Sequence, residues 1–267
     1  MGNLKISEDG YNVARTLSDH KIEGKYSTIS RTVMLIDGLM KKIIIKKTKR
    51  DATQSFSREI DGLTFNKQPD IVEIIGHDKK AKEMYLEDIE GKPYNIILQE
   101  QGKLPLNKCM ELFMNMTKPL AFVHSSSTEK PAFVHYDISD NNYIVNDTKA
   151  TLIDFGTCFR KETIPKEFYE YDVGTPLFMS PEKVLRNPEF GQASDVYGFG
   201  VLMYRTITGM YPFDPCLGKM DHQILKCRPM NVRSGDCCVD EILMSCLEKS
   251  AINRPKIFEL EKFFSNK

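Results

Sequence analysis

Two short motifs in fixed order constrain this chain more than any other feature. His135-Tyr136-Asp137-Ile138-Ser139-Asp140-Asn141-Asn142 comes first, and Asp154-Phe155-Gly156 begins twelve residues after Asn142. Between them, Val145 to Asp154 holds two short β-type runs around Asn146-Asp147, a hairpin that returns the chain to the end it left. A fold that keeps this order brings Asn142 and Asp154 together, with Asp137 close by. Transfer of a phosphoryl group needs such a set: a carboxylate beside the attacking hydroxyl, and two oxygen ligands that clamp magnesium against phosphates. Either motif alone is loop chemistry that arises by chance, but the ordered pair at this spacing is specific.

The 267 residues allow one large core or two lobes sharing a cleft, rather than three independent domains. Hydrophobic residues at 41% and charged residues at 28% describe an ordinary packed protein. Lys plus Arg and Asp plus Glu number 37 each, so no global field draws the chain to nucleic acid or anionic lipid. Cys109, Cys158, Cys216, Cys227, Cys237, Cys238 and Cys246 lack metal-ligand or disulfide-framework spacing and read as reduced thiols. No run reaches the roughly twenty apolar residues of a membrane span, and the N-terminus has no apolar signal core. A reducing, cytoplasmic setting is the expectation. Met1-Gly2 opens like an acylation signal, but Ile6 occupies the position that needs Ser or Thr, so an ordinary terminus is preferred over myristoylation.

Along the chain, residues 17 to 100 are rich in β-type runs and residues 106 to 265 in helical patterns. Thr28 to Ile36 and Lys41 to Lys47 flank the turn signal Asp37-Gly38 and predict a hairpin. Asp51 to Lys67 predicts a helix with Phe56, Ile60, Leu63 and Phe65 on one face. Ile71 to Ile75 and Met84 to Glu87 predict strands, with a solvated loop from His77 to Lys82 between them. Leu106 to His124 predicts a buried helix that Pro119 kinks or breaks, and 193 to 209 another, ended by Gly209.

On these residues the chain resembles the eukaryotic protein kinases, from about Leu17 to its end. Gly174-Thr175-Pro176-Leu177-Phe178-Met179-Ser180-Pro181-Glu182 resembles that family's substrate-docking loop and APE signature. Asp195 resembles the aspartate that braces the catalytic loop, and Arg254 the buried partner of the APE glutamate, here Glu182. The resemblance implies an α+β, two-lobed fold: a small antiparallel-sheet lobe with one main helix, about 17–87, a hinge at about 88–92, and a mainly helical lobe, about 93–267. Residues 1–16 would be an extension.

It also implies roles. Asp137 would be the catalytic base, and Asn142 and Asp154 would hold Mg2+ or Mn2+. Lys46, closing Ile43-Ile44-Ile45 as in the VAIK strand, would bind the α- and β-phosphates of ATP, held by Glu59. Leu63, Ile74, Phe155 and His135 would stack as an apolar column. Ile22, Gly24 and Ser27 would form a phosphate-covering loop like the GKYS loop of casein-kinase-like enzymes. Ile29 and Ile44 would roof the adenine pocket, Ile144 would floor it, Leu86 would guard its back, and backbone groups of Glu87 and Ile89 would bind its edge. Thr175, contacting Asp137, implies protein Ser/Thr hydroxyls as acceptors.

Departures from the family pattern are as informative as the matches. Gly24 alone survives of three glycines, Ile44 replaces a usual Ala, Tyr136 the Arg of HRD, and Ser139 a Lys. They admit a pseudokinase scaffold as an alternative. A small-molecule phosphotransferase would share HxDxxxxN but ordinarily lacks the pair Glu182 and Arg254. With Tyr136 neutral, no HRD arginine can capture an activation-segment phosphate. Thr157, Thr163, Tyr169 and Tyr171 are candidate acceptors, with Arg160 and Lys161 the nearest bases. Ordering of the segment by packing of Phe159, Phe168 and Tyr136 is therefore expected.

Overall fold

The computed structural model describes residues 5–6, 12–13, 21–24, 26–36, 38–49, 53–163, 174–187 and 191–267. A short ladder pairs β1 (Lys5–Ile6) with β2 (Asn12–Val13). Then come β3 (Lys21–Glu23), β4 (Ser27–Ile36), β5 (Leu39–Thr48), α1 (Thr53–Phe65), β6 (Ile74–Asp78) and β7 (Glu83–Glu87). The five strands from β3 to β7 form one antiparallel sheet in the order β3-β4-β5-β7-β6.

The β4–β5 hairpin closes with Ile36 opposite Leu39. Its turn at Gly38 has φ +78°, a conformation open to a residue without Cβ; Asp37 lies outside the described residues. Alternation along β5 sorts its isoleucines. Ile43 and Ile45 pack with Met34, Ile36 and Tyr85 in a small cluster on one face, while Ile44 and Lys46, of opposite parity, turn toward the main core and α1.

One strand expectation needs correction. The strand predicted over Ile71 to Ile75 begins three residues later, at Ile74, and extends through His77 and Asp78, where the sequence predicts a solvated loop. Ile71 and Val72 are buried but belong to a junction with the second lobe. Ile71 bridges to Leu152, the Val72 N–H donates to the Leu152 carbonyl at 3.0 Å, and the Leu152 N–H donates to Asp70 at 2.9 Å. An apolar run states that a segment is buried without stating against what.

The second lobe contains β8 (Lys92–Pro93), α2 (Tyr94–Gln101), α3 (Leu106–His124), β9 (Phe133–Val134), β10 (Tyr143–Asn146), β11 (Lys149–Leu152) and β12 (Phe159–Arg160). It ends with α4 (Pro181–Val184), α5 (Gly191–Thr208), α6 (Met220–Lys226), α7 (Cys237–Cys246) and α8 (Ile257–Ser265). Helix α3 runs through Pro119 unbroken. An interior proline costs roughly 3 kcal/mol. Leu112, Phe113, Met116, Leu120 and Val123 are fully buried on the same helix, at about 1.5–3 kcal/mol each, so packing prevails over propensity. The Phe113 ring meets Phe199 of α5 at 6.1 Å and Phe264 of α8 at 5.5 Å. Gly198 lets α5 lie against the catalytic loop, since a Cβ there would sit 2.8 Å from the Ile138 carbonyl oxygen. Among the described residues no helix is long and apolar enough to cross a membrane.

Candidate active site

Strand β5 and helix α1 bring the first charged group to the cleft. Lys46 Nζ donates to Glu59 Oε1 at 2.7 Å and to Asp154 Oδ1 at 2.8 Å, so one ammonium ties sheet, helix and second lobe together. Burial alone would lower the Lys46 pKa, but Asp154 and Glu59 outweigh it and raise it, keeping the lysine charged. Burial pushes the Glu59 carboxyl up to about 7 against the attraction of Lys46. At Asp154, desolvation is overcome by Lys46 and then by the Gly156 N–H, which hold the carboxyl below its ordinary value. Asp154 is still 47% exposed at its side chain, open to a ligand from the cleft.

The catalytic loop is held by its backbone. Asp195, buried at the start of α5, accepts the N–H groups of His135 and Tyr136, both at 2.8 Å, and pairs with His124 Nε2 at 2.8 Å. Tyr136 has φ +66° and Asp154 φ +61°, a left-handed conformation that costs non-glycine residues energy and persists where the surroundings enforce it. Asp137 Oδ1 receives the Thr175 N–H at 2.9 Å and the Thr175 hydroxyl at 2.8 Å, and that hydroxyl lies 3.3 Å from Ser139 Oγ. Asn142 donates its amide nitrogen to the Asp137 carbonyl at 2.7 Å, so its oxygen is the atom left for a metal. With the Asp154 carboxylate this makes a hard-oxygen set on neighbouring loops, which fits Mg2+ or Mn2+. His135 and Phe155 stack edge to face at 4.9 Å. Leu63 and Phe155 belong to the main core and Ile74 packs on it.

Most of the remaining predicted positions lie on the five-stranded sheet or its turns, with Ile89 and Ile144 beyond it. Ile44 lies opposite Leu86 in the β5–β7 ladder, and Leu86 lies opposite Ile74 in the next. Ile144 pairs with Pro93, placing it just past the chain's crossing between lobes. Ile44 and Ile89 are half-buried against the core. Glu87 gives its N–H to the Glu73 carbonyl at 3.1 Å. Ile22 pairs with Ile29, and between them the Gly24 N–H donates to the Ser27 carbonyl at 2.8 Å, a tight turn. Ile22 is 68% exposed, so it is not core packing. Lys25 of that turn lies outside the described residues.

Several contacts had no clear signal in the sequence. Arg160, one of the two bases nearest the candidate acceptors, is engaged by Asp61 of α1 through a two-pronged pair at 2.9 and 2.6 Å. Ser55 and Arg58, also of α1, both donate to the Gly156 carbonyl at 3.1 Å. Tyr136 and Phe159 stack edge to face at 6.3 Å, as anticipated, whereas Phe168, Tyr169 and Tyr171 lie outside the described residues. Thr157 is committed, donating to the His135 carbonyl at 2.8 Å. Glu182 and Arg254 form the expected buried fork at 2.6 and 2.8 Å. The residue after Glu182, Lys183, reaches the catalytic loop as well.

A small sheet lobe that presents a lysine, a helical lobe that presents two loop carboxylates, and a brace behind each define a two-lobed phosphotransferase scaffold. A family model described as a protein kinase domain matches residues 23–262, and the chain belongs to the eukaryotic-type protein kinase family. It is similar to a probable serine/threonine-protein kinase of Clostridium acetobutylicum, 26% identical over 81% of this chain and 34% of the relative. It is also similar to the dual specificity protein kinase shkA of Dictyostelium discoideum, 26% identical over 78% of this chain and 39% of that protein. Sperm motility kinase 2B of Mus musculus is 29% identical over 62% and 34% of the two chains. The chain thus spans about a third of the length of these curated relatives.

Proposed function

We propose that the chain transfers the γ-phosphoryl group of ATP to Ser or Thr hydroxyls of proteins, with residues 17–267 as the catalytic unit and 1–16 as an extension. The observation that carries this reading is the contact of Thr175 with Asp137 beside the Lys46–Asp154 pair. In this reading Asp137 accepts the proton of the acceptor hydroxyl. The acceptor oxygen bonds to the γ-phosphorus, the bond from that phosphorus to the bridging oxygen breaks, and ADP leaves. Lys46 holds the α- and β-phosphates with Glu59 fixing its position, and the adenine edge meets the backbone at Glu87 and Ile89 between Ile44 and Ile144. A divalent ion on Asn142 and Asp154 would neutralise charge on the phosphates. One of the three relatives above carries a name that includes serine/threonine, which favours hydroxyl acceptors of that kind. All seven cysteines are unpaired, which supports a reducing, cytoplasmic setting.

The test is turnover on a generic protein substrate with labelled ATP. Asp137→Asn should abolish transfer and leave nucleotide affinity largely intact, and Asp154→Asn should remove the magnesium-dependent part of that affinity. Lys46→Met should cripple transfer, and Glu59→Gln should impair it less because the lysine remains. Lys47→Met, whose lysine instead pairs with Glu83 at 3.1 Å, should be silent. Near-normal turnover in Asp137→Asn overturns the assignment, and a wild type that binds nucleotide but never transfers would make the chain a scaffold.

A further inference from the structure

The loop that carries Asp137 is poor in positive charge, because Tyr136 and Ser139 stand where the related loops have Arg and Lys. Its other nearby acids are spoken for: Asp140 by Arg205, Asp154 by Lys46, and Asp195 by two N–H groups and His124. The cation that does approach comes from a different element. Lys183, in the first turn of α4, donates from Nζ to the Tyr136 carbonyl, with the ammonium 5.6 Å from the centre of the Tyr136 ring. We propose that Lys183 is a positioning residue for the acceptor half of the cleft, supplying from α4 the positive charge and the backbone anchor that the catalytic loop lacks. The proposal rests on the reading of Asp137 as the base.

Three geometric observations converge on it. A Cβ built on Gly174 would lie 2.7 Å from Lys183 Nζ, 3.2 Å from the Tyr136 carbonyl oxygen and 3.5 Å from Asp137 Oδ1, so all three groups border one small space. Gly174 has φ +103° and no side chain, and thereby leaves room for the ammonium. The Tyr136 carbonyl belongs to the peptide that leads into Asp137. Asp195 grips the preceding N–H groups and Lys183 the following carbonyl, which clamps the left-handed turn at Tyr136 from two sides. A neutral aromatic at 136 also suits this arrangement, since an arginine there would set a second cation against Lys183, whereas the tyrosine ring attracts it. Burial lowers the Lys183 pKa, and Asp137, Asp195 and Glu182 act against that and favour the charged form.

The experiment compares Lys183→Met, Lys183→Arg, Asp137→Asn and the double variant Ser139→Lys/Lys183→Met in peptide phosphorylation, nucleotide-analogue binding and thermal melting. Lys183→Met should lower kcat by about tenfold to a hundredfold, the scale of a misplaced catalytic group, with little change in nucleotide affinity. Lys183→Arg, and the lysine placed at 139, should each restore most of the rate. Turnover of Lys183→Met within about twofold of wild type, with Asp137→Asn inactive, overturns the proposal and spares the base assignment; an active Asp137→Asn removes the base assignment itself. Should Lys183→Met also melt early, the double variant decides. Recovery of rate without recovery of melting temperature supports the positioning role, and recovery of neither shows a packing role alone.

Discussion

At the scale of single residues, the pair of Glu182 and Arg254 shows how a charge becomes obligatory. The two lie 72 positions apart and meet at 2.6 and 2.8 Å, with Ser194 adding a bond to Glu182 at 2.7 Å. The Arg254 side chain has no exposed surface, so removing its partner strands a cation. Glu182→Gln should therefore lower unfolding stability by about 3–5 kcal/mol. The pH dependence follows from the carboxyl. Burial would raise its pKa, but hydrogen bonding and charge from Arg254 prevail and hold it below 4.5. The folded carboxylate thus binds its proton more weakly than the unfolded one. The contribution is complete above 4.5 and fades as pH falls below it through the folded value. Denaturant titrations of wild type and Glu182→Gln should show a constant stability gap near neutrality that narrows in acid. A gap that widens in acid would contradict the sign of the shift.

At the scale of elements, α1 and the strand after Gly156 are latched without a phosphate. Arg160 pairs with Asp61, Ser55 and Arg58 hold the Gly156 carbonyl, Arg58 lies 4.9 Å over the Phe159 ring, and Phe159 stacks on Tyr136. The Arg160–Asp61 pair is 38% exposed on each side, and such pairs contribute only about 0–1 kcal/mol. No one contact is a switch; the set together places α1, and with it Glu59, against Lys46. Phosphatase-treated enzyme should accordingly keep its initial rate within about tenfold of untreated enzyme, since that ratio marks roughly 1.4 kcal/mol of population shift. Thr163→Ala should behave like wild type. A larger fall, measured before autophosphorylation can restore a phosphate, would reveal a phosphate receptor.

At the scale of the whole molecule, the cleft is where two differently built lobes meet, and Lys46 with Asp154 spans it directly. A ligand that bridges the same groups should stabilise both lobes together. A non-hydrolysable ATP analogue with magnesium, at about a hundred times its dissociation constant, should add about 2.7 kcal/mol. For a chain of this size that is a rise of about 5–10 °C in melting temperature. Lys46→Met should lose most of this rise, and magnesium should add nothing to the analogue's effect in Asp154→Asn. A full magnesium-dependent shift in Asp154→Asn would remove Asp154 from the metal site.

Much of this protein is local enough to be legible in its sequence. The hairpins, α3 and α5 follow from periodicity and turn residues, and the grouping of Asp137, Asn142 and Asp154 from motif spacing, all of which act over a few residues; Lys46, Glu59, Thr175, Glu182 and Arg254 are marked by the resemblance to a known family. What the tertiary structure decided is partnership. It sent Ile71 and Val72 to Leu152 rather than into a strand, continued α3 past Pro119, gave Arg160 to Asp61, and brought Lys183 to the Tyr136 carbonyl. A lysine beside a glutamate on a short helix reads as surface charge, because nothing within its own turn reveals the loop 47 residues earlier in the chain. Burial and charge pairing are properties of the space between elements, and that space exists only once the elements have packed.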